Sequence, residues 1–321
     1  MNKREIVFGL LDGGLDGNPP QPIIPAAFFT HFAPEFHQGP AGVEKHKEFF
    51  RSTGMDIVKI QYERPFPAQP IASPADWARI PLLDKTFFEP QLEVVRGLVE
   101  ALKAEAPVVV TLYSPFMCAG HVGGRETLSA HLQEDPDAVK KGLQIVTDSL
   151  MTFVQECIQI GVDGFYHSTQ GAESHRFSDP RIFTDYIMPF DLEVMNEINR
   201  RCPFSILHIC DYHRDEVGGY DDLTLFLDYP GHVVNCSLQV GDRTMTPTEI
   251  SKMFGRPFMG GMERKGALAT GTEAQVREAA REALRQASGR FFLGADCTVP
   301  GGTPWENLRA AIDEAHQWTQ E

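Results

Sequence analysis

Positive charge is scarce in this sequence: 29 Lys and Arg stand against 44 Asp and Glu, a net charge of −15. That balance argues against a general nucleic-acid binder or a ligand of anionic membrane surfaces. Long apolar runs are missing too. No stretch approaches the roughly 20 apolar residues that span a bilayer. The opening MNKREIVFGLLDG lacks the continuous apolar segment of a signal peptide, so a cytoplasmic protein is expected. Cysteine is sparse, six in 321 residues, and no two are spaced CxxC. Cys118, Cys157, Cys202, Cys210, Cys236 and Cys297 therefore do not read as a disulfide framework. No GxGxxG follows the first strand candidate, which weakens a dinucleotide-binding sheet.

What the sequence does contain is alternation. Short β-rich runs occur at 22–29, 56–62, 107–114, 161–168, 204–211, 232–239, 256–263 and 290–299. Most are continuously apolar, as strands covered on both faces should be. The clearest helical patterns lie at 88–105, 137–160, 181–201, 273–288 and 304–318. Thr303, Pro304 and Glu306 read as the cap, first turn and capping-box acid of the last of these. The Gly- and Pro-rich pieces 11–22 and 299–304 read as loops, and 64–84 as a Pro-rich excursion near the mouth of the fold. With no linker and no repeat, residues 1–321 form one α/β domain. Eight strands alternating with helices are the count of a (β/α)8 TIM barrel, with an open doubly wound sheet as the alternative.

A barrel of this kind gathers its chemistry at the C-terminal ends of its strands. Those ends carry Thr30 and His31; Lys59, Gln61 and Glu63; Tyr113 and Ser114; His167, Thr169 and Gln170; His208, Cys210, Asp211 and His213; Asn235, Ser237 and Gln239; Glu263 and Arg264; Asp296 and Cys297. In the stretch FSILHICDYH, His208 and Cys210 are two apart and so share one face of a strand. Imidazole with thiolate suits zinc. Cys297, at the end of the last strand candidate, is the best third ligand. Three protein ligands leave a fourth tetrahedral position open, the mark of a catalytic rather than a structural zinc. The other cysteines read as buried thiols: Cys157 in a helix, Cys202 before Pro203, Cys236 within a strand. Cys118 reads as a loop residue.

At these residues the sequence resembles the uroporphyrinogen decarboxylase superfamily, and within it the zinc-dependent methylcobamide:thiol methyltransferases of coenzyme M type. LHIC resembles the His-x-Cys strand of that branch, and FFLGADCTVPGGTPWENLRA its closing segment. NKREIVFGLLDG, GVDGFYHS and GGMERKGALATGTEAQVREAAREAL resemble its opening helix, a central strand and a late strand–loop–helix. The resemblance implies a (β/α)8 barrel with its site at the C-terminal mouth and zinc on His208, Cys210 and Cys297. It also implies a small thiol substrate and a methylcobalamin or other corrinoid methyl donor, carried by a partner protein. The decarboxylase branch uses arginines after its first strand to hold an acidic tetrapyrrole, and here no Arg lies between Arg4 and Arg51.

The chemistry the resemblance implies is attack of a zinc-activated thiolate on the corrinoid methyl group. Lys59 and Arg264 are candidates to hold an anionic group on the thiol. His167, Gln170 and Gln239 are candidates to orient it, and Tyr113 to wall the pocket. Asp211 and Glu263 are candidate acceptors for the ligand histidine or occupants of the fourth position. His213 reads as a loop histidine, with a further metal ligand as the alternative. Three rivals stand beside this reading: a metal-free decarboxylase-like lyase acting on a carboxylic acid, a non-catalytic corrinoid- or tetrapyrrole-binding barrel, and a zinc hydrolase. The last ranks low, because two thiolate ligands make zinc a poorer Lewis acid.

Overall fold

Apolar, β-branched runs such as Val108-Val109-Val110 leave little choice but strand, and the computed structural model places them at the centre of the molecule. It describes residues 2–12, 23–287 and 289–319. In chain order the elements are α1 (Lys3–Leu11), α2 (Gly39–Thr53), β1 (Val58–Ile60), α3 (Lys85–Leu102), β2 (Val108–Tyr113), α4 (Pro115–Gly123), α5 (Arg125–Glu134) and α6 (Pro136–Ile160). Then follow β3 (Gly164–Thr169), α7 (Met188–Arg201), β4 (Ile206–Ile209), α8 (Arg214–Val217), β5 (Val233–Cys236), β6 (Gln239–Val240), β7 (Arg243–Thr244) and α9 (Pro247–Phe254). The chain ends with β8 (Phe258–Met262), α10 (Ala267–Thr270), α11 (Glu273–Gln286), β9 (Phe291–Ala295) and α12 (Trp305–Gln317).

Seven strands form one parallel sheet in the order β1-β2-β3-β4-β5-β8-β9. Each neighbour pair follows chain order through at least one helix, as parallel crossovers require. β6 and β7 form a separate two-stranded antiparallel pair after β5. The expected eighth strand, at 22–29, is not one. Residue 22 lies outside the described residues, and the rest is an extended segment with two isolated parallel bridges, Ala26 to Leu293 and Thr30 to Val299. Pro25 has no N–H to give to a ladder, which is reason enough for the interruption. The segment is nevertheless tied on both sides. Ala27 N–H donates to Leu293 O at 3.0 Å, and Asp56 N–H donates to Ala26 O at 2.9 Å. The Asp56 carboxylate accepts Ala26 N–H in return and holds Lys3 and His316 as well.

Several sequence expectations shift on inspection. α2, α4 and α5 were not among the clear helical patterns. Cys118 lies within α4, not in a loop. The helix expected from 181 begins as a π turn over Phe183–Ile187 and becomes α-helical at Met188. Pro304, not Thr303, occupies the N-cap of α12, and no side chain caps it. Within 64–84 the one regular element is a 3-10 turn, Pro74–Arg79, whose buried Trp77 meets Gly142 of α6 and donates to His131 at 3.1 Å. The loop expected at 11–22 falls, from residue 13 onward, outside the described residues. Among the described residues no helix is long and apolar enough to cross a membrane.

Candidate metal centre

β4 is four residues long and wholly buried, and its register sets the site. His208 pairs with Ser168 on β3 and with Asn235 on β5, so these three side chains lie in one tier. Cys210 follows two residues on, above His208, just past the end of the strand; its N–H donates to Thr169 O at 3.0 Å. Cys297 comes from the bend after β9, a segment steadied when Asp296 N–H donates to Met262 O. The ligand atoms of His208, Cys210 and Cys297 all lie within 4.8 Å of one another, and all three residues are buried.

The two sulfurs are 4.0 Å apart. A disulfide would need about 2.05 Å. Two thiolates on a tetrahedral zinc, each bonded at about 2.3 Å, stand about 3.8 Å apart. The spacing therefore fits a shared metal and not a covalent bond. The Nδ1 of His208 is buried without a hydrogen-bond partner, a polar atom that the fold leaves unsatisfied. Imidazole and two thiols are a donor set for zinc.

Electrostatics separate the two thiols. Donation from Cys297, with the His208 ring beside it, pulls Cys210 well below the usual thiol range against the effect of burial. The same contact, with burial, pushes Cys297 up. The Gln170 amide donates to the Cys210 sulfur at 3.5 Å, and the Tyr220 hydroxyl to the Cys210 carbonyl at 3.0 Å. The Tyr166 ring packs at 4.9 Å and 30° against His208. Tyr166 donates its hydroxyl to Asn235, whose amide in turn donates to the carbonyls of Met259 and Ala295 at 2.7 and 2.9 Å. A tie across β3, β5, β8 and β9 thus holds the ring against which His208 rests.

The three residues line a cavity of about 230 Å³. Lys59, Tyr113 and Gln170 line it too, as do His31, read from the sequence as a strand-end residue, His213, read as a loop histidine with a metal ligand as the alternative, and His121, not singled out there. Lys59 is buried between the rings of Phe29 and Tyr166 at 4.6 and 4.5 Å, and burial lowers its pKa to about 7, against the pull of Cys297, Glu63 and Cys210. The Arg125 guanidinium lies against the His213 ring.

Other sequence candidates lie elsewhere. His167 is not on the cavity wall; it pairs with Leu112 and Leu207, while Tyr166 and Ser168 face the cavity. Neither His167 nitrogen has a partner, and burial, with His208 nearby, lowers its pKa to about 3. A strand buried on both faces gives no alternation from which to read its phase, so its neighbours Tyr166 and Ser168 went unmarked. Gln239 and Glu263 line a second cavity with Asp296. Arg264 bridges Asp211 at 3.2 Å and Asp296 at 3.8 Å and covers the Tyr212 ring. Asp211 also faces Arg214 at 3.6 Å. Among the described residues no carboxylate and no further histidine joins the His208–Cys210–Cys297 group.

Residues 50–318 match the family described as Uroporphyrinogen decarboxylase (URO-D). The chain belongs to this family. Among curated proteins it is similar to the methylated-thiol–coenzyme M methyltransferase of Methanosarcina mazei, 23% identical over 81% of this chain and 72% of that protein. It is also similar to the methylcobamide:CoM methyltransferase MtbA of the same organism, 22% identical over 71% of this chain and 63% of the relative. A uroporphyrinogen decarboxylase of Nocardia farcinica is 28% identical over 46% of this chain and 42% of its own length. Among solved structures, a methyltransferase from Methanosarcina mazei superposes with a TM-score of 0.73 over 98% of both chains at 14% identity. That likeness shows a shared fold, here with a curled seven-stranded parallel sheet.

Proposed function

We propose that this protein is a zinc-dependent methyltransferase that passes a methyl group from a methylated corrinoid to a small thiol. The observation that carries the reading is the 4.0 Å spacing of the Cys210 and Cys297 sulfurs beside His208. Relatives named for methylcobamide and coenzyme M support it. His208, Cys210 and Cys297 would hold the zinc. The ion would supply a fourth position in which a thiol ionises at neutral pH, where a free thiol of pKa about 8.5 is mostly protonated.

The chain's own residues do the rest. Tyr166 and Gln170 hold the ligands in place. Lys59, in its protonated form, would set a positive charge near two thiolates and a third sulfur and offset their mutual repulsion. The cavity, about 230 Å³, is smaller than the ~300–1,000 Å³ of ordinary ligand pockets, so it takes a short thiol and not a corrinoid ring. The methyl donor therefore approaches from outside, carried on a partner protein. In this reading the Ile24–Thr30 segment stands in the eighth-strand place of a (β/α)8 barrel and the site opens at its C-terminal mouth.

The lyase alternative is less favoured, because among the described residues Lys59 is the one Lys or Arg lining the cavity; Arg264 is held by Asp211 and Asp296, and Arg64 donates to Phe87 O at 3.0 Å. The test is zinc content and methylation of 2-mercaptoethanol by methylcobalamin, in wild type and Cys297→Ala. Zinc and methyl transfer lost together in the variant support the reading. A wild type prepared without chelators that holds no zinc would sink it.

A further inference from the structure

Three side chains at the rim of the cavity beside His208, Cys210 and Cys297 form a chain of their own. Glu63 Oε1 lies 2.9 Å from His31 Nδ1, and His31 Nε2 lies 3.4 Å from the Tyr113 hydroxyl. His31 and Tyr113 line the cavity with Cys210 and Cys297. Glu63 is itself fixed, its N–H donating to Gln91 at 3.0 Å, and it is 11% exposed, whereas the His31 ring is 44% exposed. Tyr113, at one end of the chain, shares the cavity with the two sulfurs, and the middle member, His31, is the one exposed to water.

We propose that Tyr113 and His31 carry away the proton that the thiol substrate loses, with Glu63 as the positioning residue that fixes the imidazole. This rests on the thiol-binding reading above. A carboxylate at Nδ1 selects the Nδ1–H tautomer and leaves Nε2 free to accept. Tyr113 then donates its O–H to Nε2 and has a lone pair for the substrate S–H. The thiol S–H bond breaks and its electron pair stays on sulfur. The proton passes to Tyr113 Oη as the phenolic proton moves to His31 Nε2, where an N–H bond forms. The resulting imidazolium sits against the Glu63 carboxylate and gives its proton to water. No oxidant or second reactant is needed.

The surroundings favour a relay over a tyrosinate. Burial, with Glu63 and the two site cysteines near, pushes the Tyr113 hydroxyl far above its usual range, so it serves as a neutral bridge. Other titratable groups facing the chain are His37, 3.7 Å from Glu63 Oε2, His121 and Tyr62 against the Tyr113 ring, Cys118, which donates to the Tyr113 carbonyl, and Lys59. His31 and Glu63 are in direct contact at 2.9 Å.

The test uses cobalt-substituted protein and 2-mercaptoethanol. Stopped-flow absorbance follows the sulfur-to-cobalt charge-transfer band as thiolate forms. General-base help is worth about 100-fold or more, so His31→Ala and Tyr113→Phe should slow the band by that order at pH 7 with unchanged final amplitude. Added imidazole should restore the rate in His31→Ala. In metal-free protein, ¹⁵N shifts should report the Nδ1–H tautomer of His31. A wild-type rate in His31→Ala, or an Nε2–H tautomer, overturns the relay. A slow His31→Ala beside a fast Tyr113→Phe overturns the phenol link. If wild-type protein binds cobalt but its sulfur-to-cobalt band does not change when thiol is added, the thiol reading itself fails, and the relay with it.

Discussion

Cys210 and Cys297 are separated by 87 positions in the chain, yet their sulfurs lie 4.0 Å apart, buried beside His208. One thiol follows the fourth strand of the parallel sheet and the other follows the last. The distance suits a shared tetrahedral metal, and from it a first prediction follows. Cys210→Ala and Cys297→Ala should each lower zinc from about one ion per chain to near none after dialysis, because two remaining ligands hold a labile ion. Inductively coupled plasma mass spectrometry of the dialysed proteins, with circular dichroism to verify folding, checks this.

In the proposed site Tyr166 and Asn235 would act on a metal through His208, against whose ring Tyr166 packs. Asn235→Ala leaves the Tyr166 hydroxyl and the carbonyls of Met259 and Ala295 without their partner. Each orphaned buried group costs about 1–3 kcal/mol, which urea unfolding of the metal-free protein will register. Partners that orient a ligand histidine are worth roughly 10–100-fold in metal affinity. A zinc competition titration on Tyr166→Phe should fall in or just below that range, since the ring remains and only its tie is lost.

His167 lies between Leu112 and Leu207 in the register of the sheet, with both ring nitrogens unpartnered. His167→Leu should therefore stabilise the fold by about 1–3 kcal/mol and leave the affinity for 2-mercaptoethanol unchanged. Urea denaturation and calorimetric titration decide it. A large loss of thiol affinity would return His167 to the list of substrate-contacting residues.

Asp191 is buried behind β3, where Thr169 and Tyr229 donate to one of its oxygens and the other has no partner. Burial raises its pKa from 3.8 to about 7. Between those values the folded chain holds a proton that the unfolded chain releases. Stability from this group is therefore full below pH 3.8, falls as pH rises through the window, and is lost above about 7. Asp191→Asn should flatten that slope and be more stable than wild type at pH 8. Chemical denaturation from pH 5 to pH 8 gives the comparison.

How much of this was legible in the sequence depends on whether the signal was local. Strand and helix alternation is local, and the seven paired strands fall within the runs read from composition, give or take a residue at each end. The His208–Cys210 pair is local as well, because a two-residue period places both on one face of an extended chain. The segment around Pro25 was read as a strand because its side chains look like one. Its missing N–H counts only when a neighbour asks for it.

The sequence by itself determined the α/β alternation, the acidic balance of charge and which three side chains, His208, Cys210 and Cys297, are candidates to hold a metal. Only the tertiary structure decided how close Cys297 comes to Cys210, since that depends on curling the sheet until its fourth and last strands face each other. It also decided the phase of β3, which turns Tyr166 and Ser168 into the cavity and His167 away. Glu63, His31 and Tyr113 come from three separate segments, and no spacing in the chain foretells their contact. Long-range proximity is set by the packing of the whole sheet, so a local reading of residues cannot contain it.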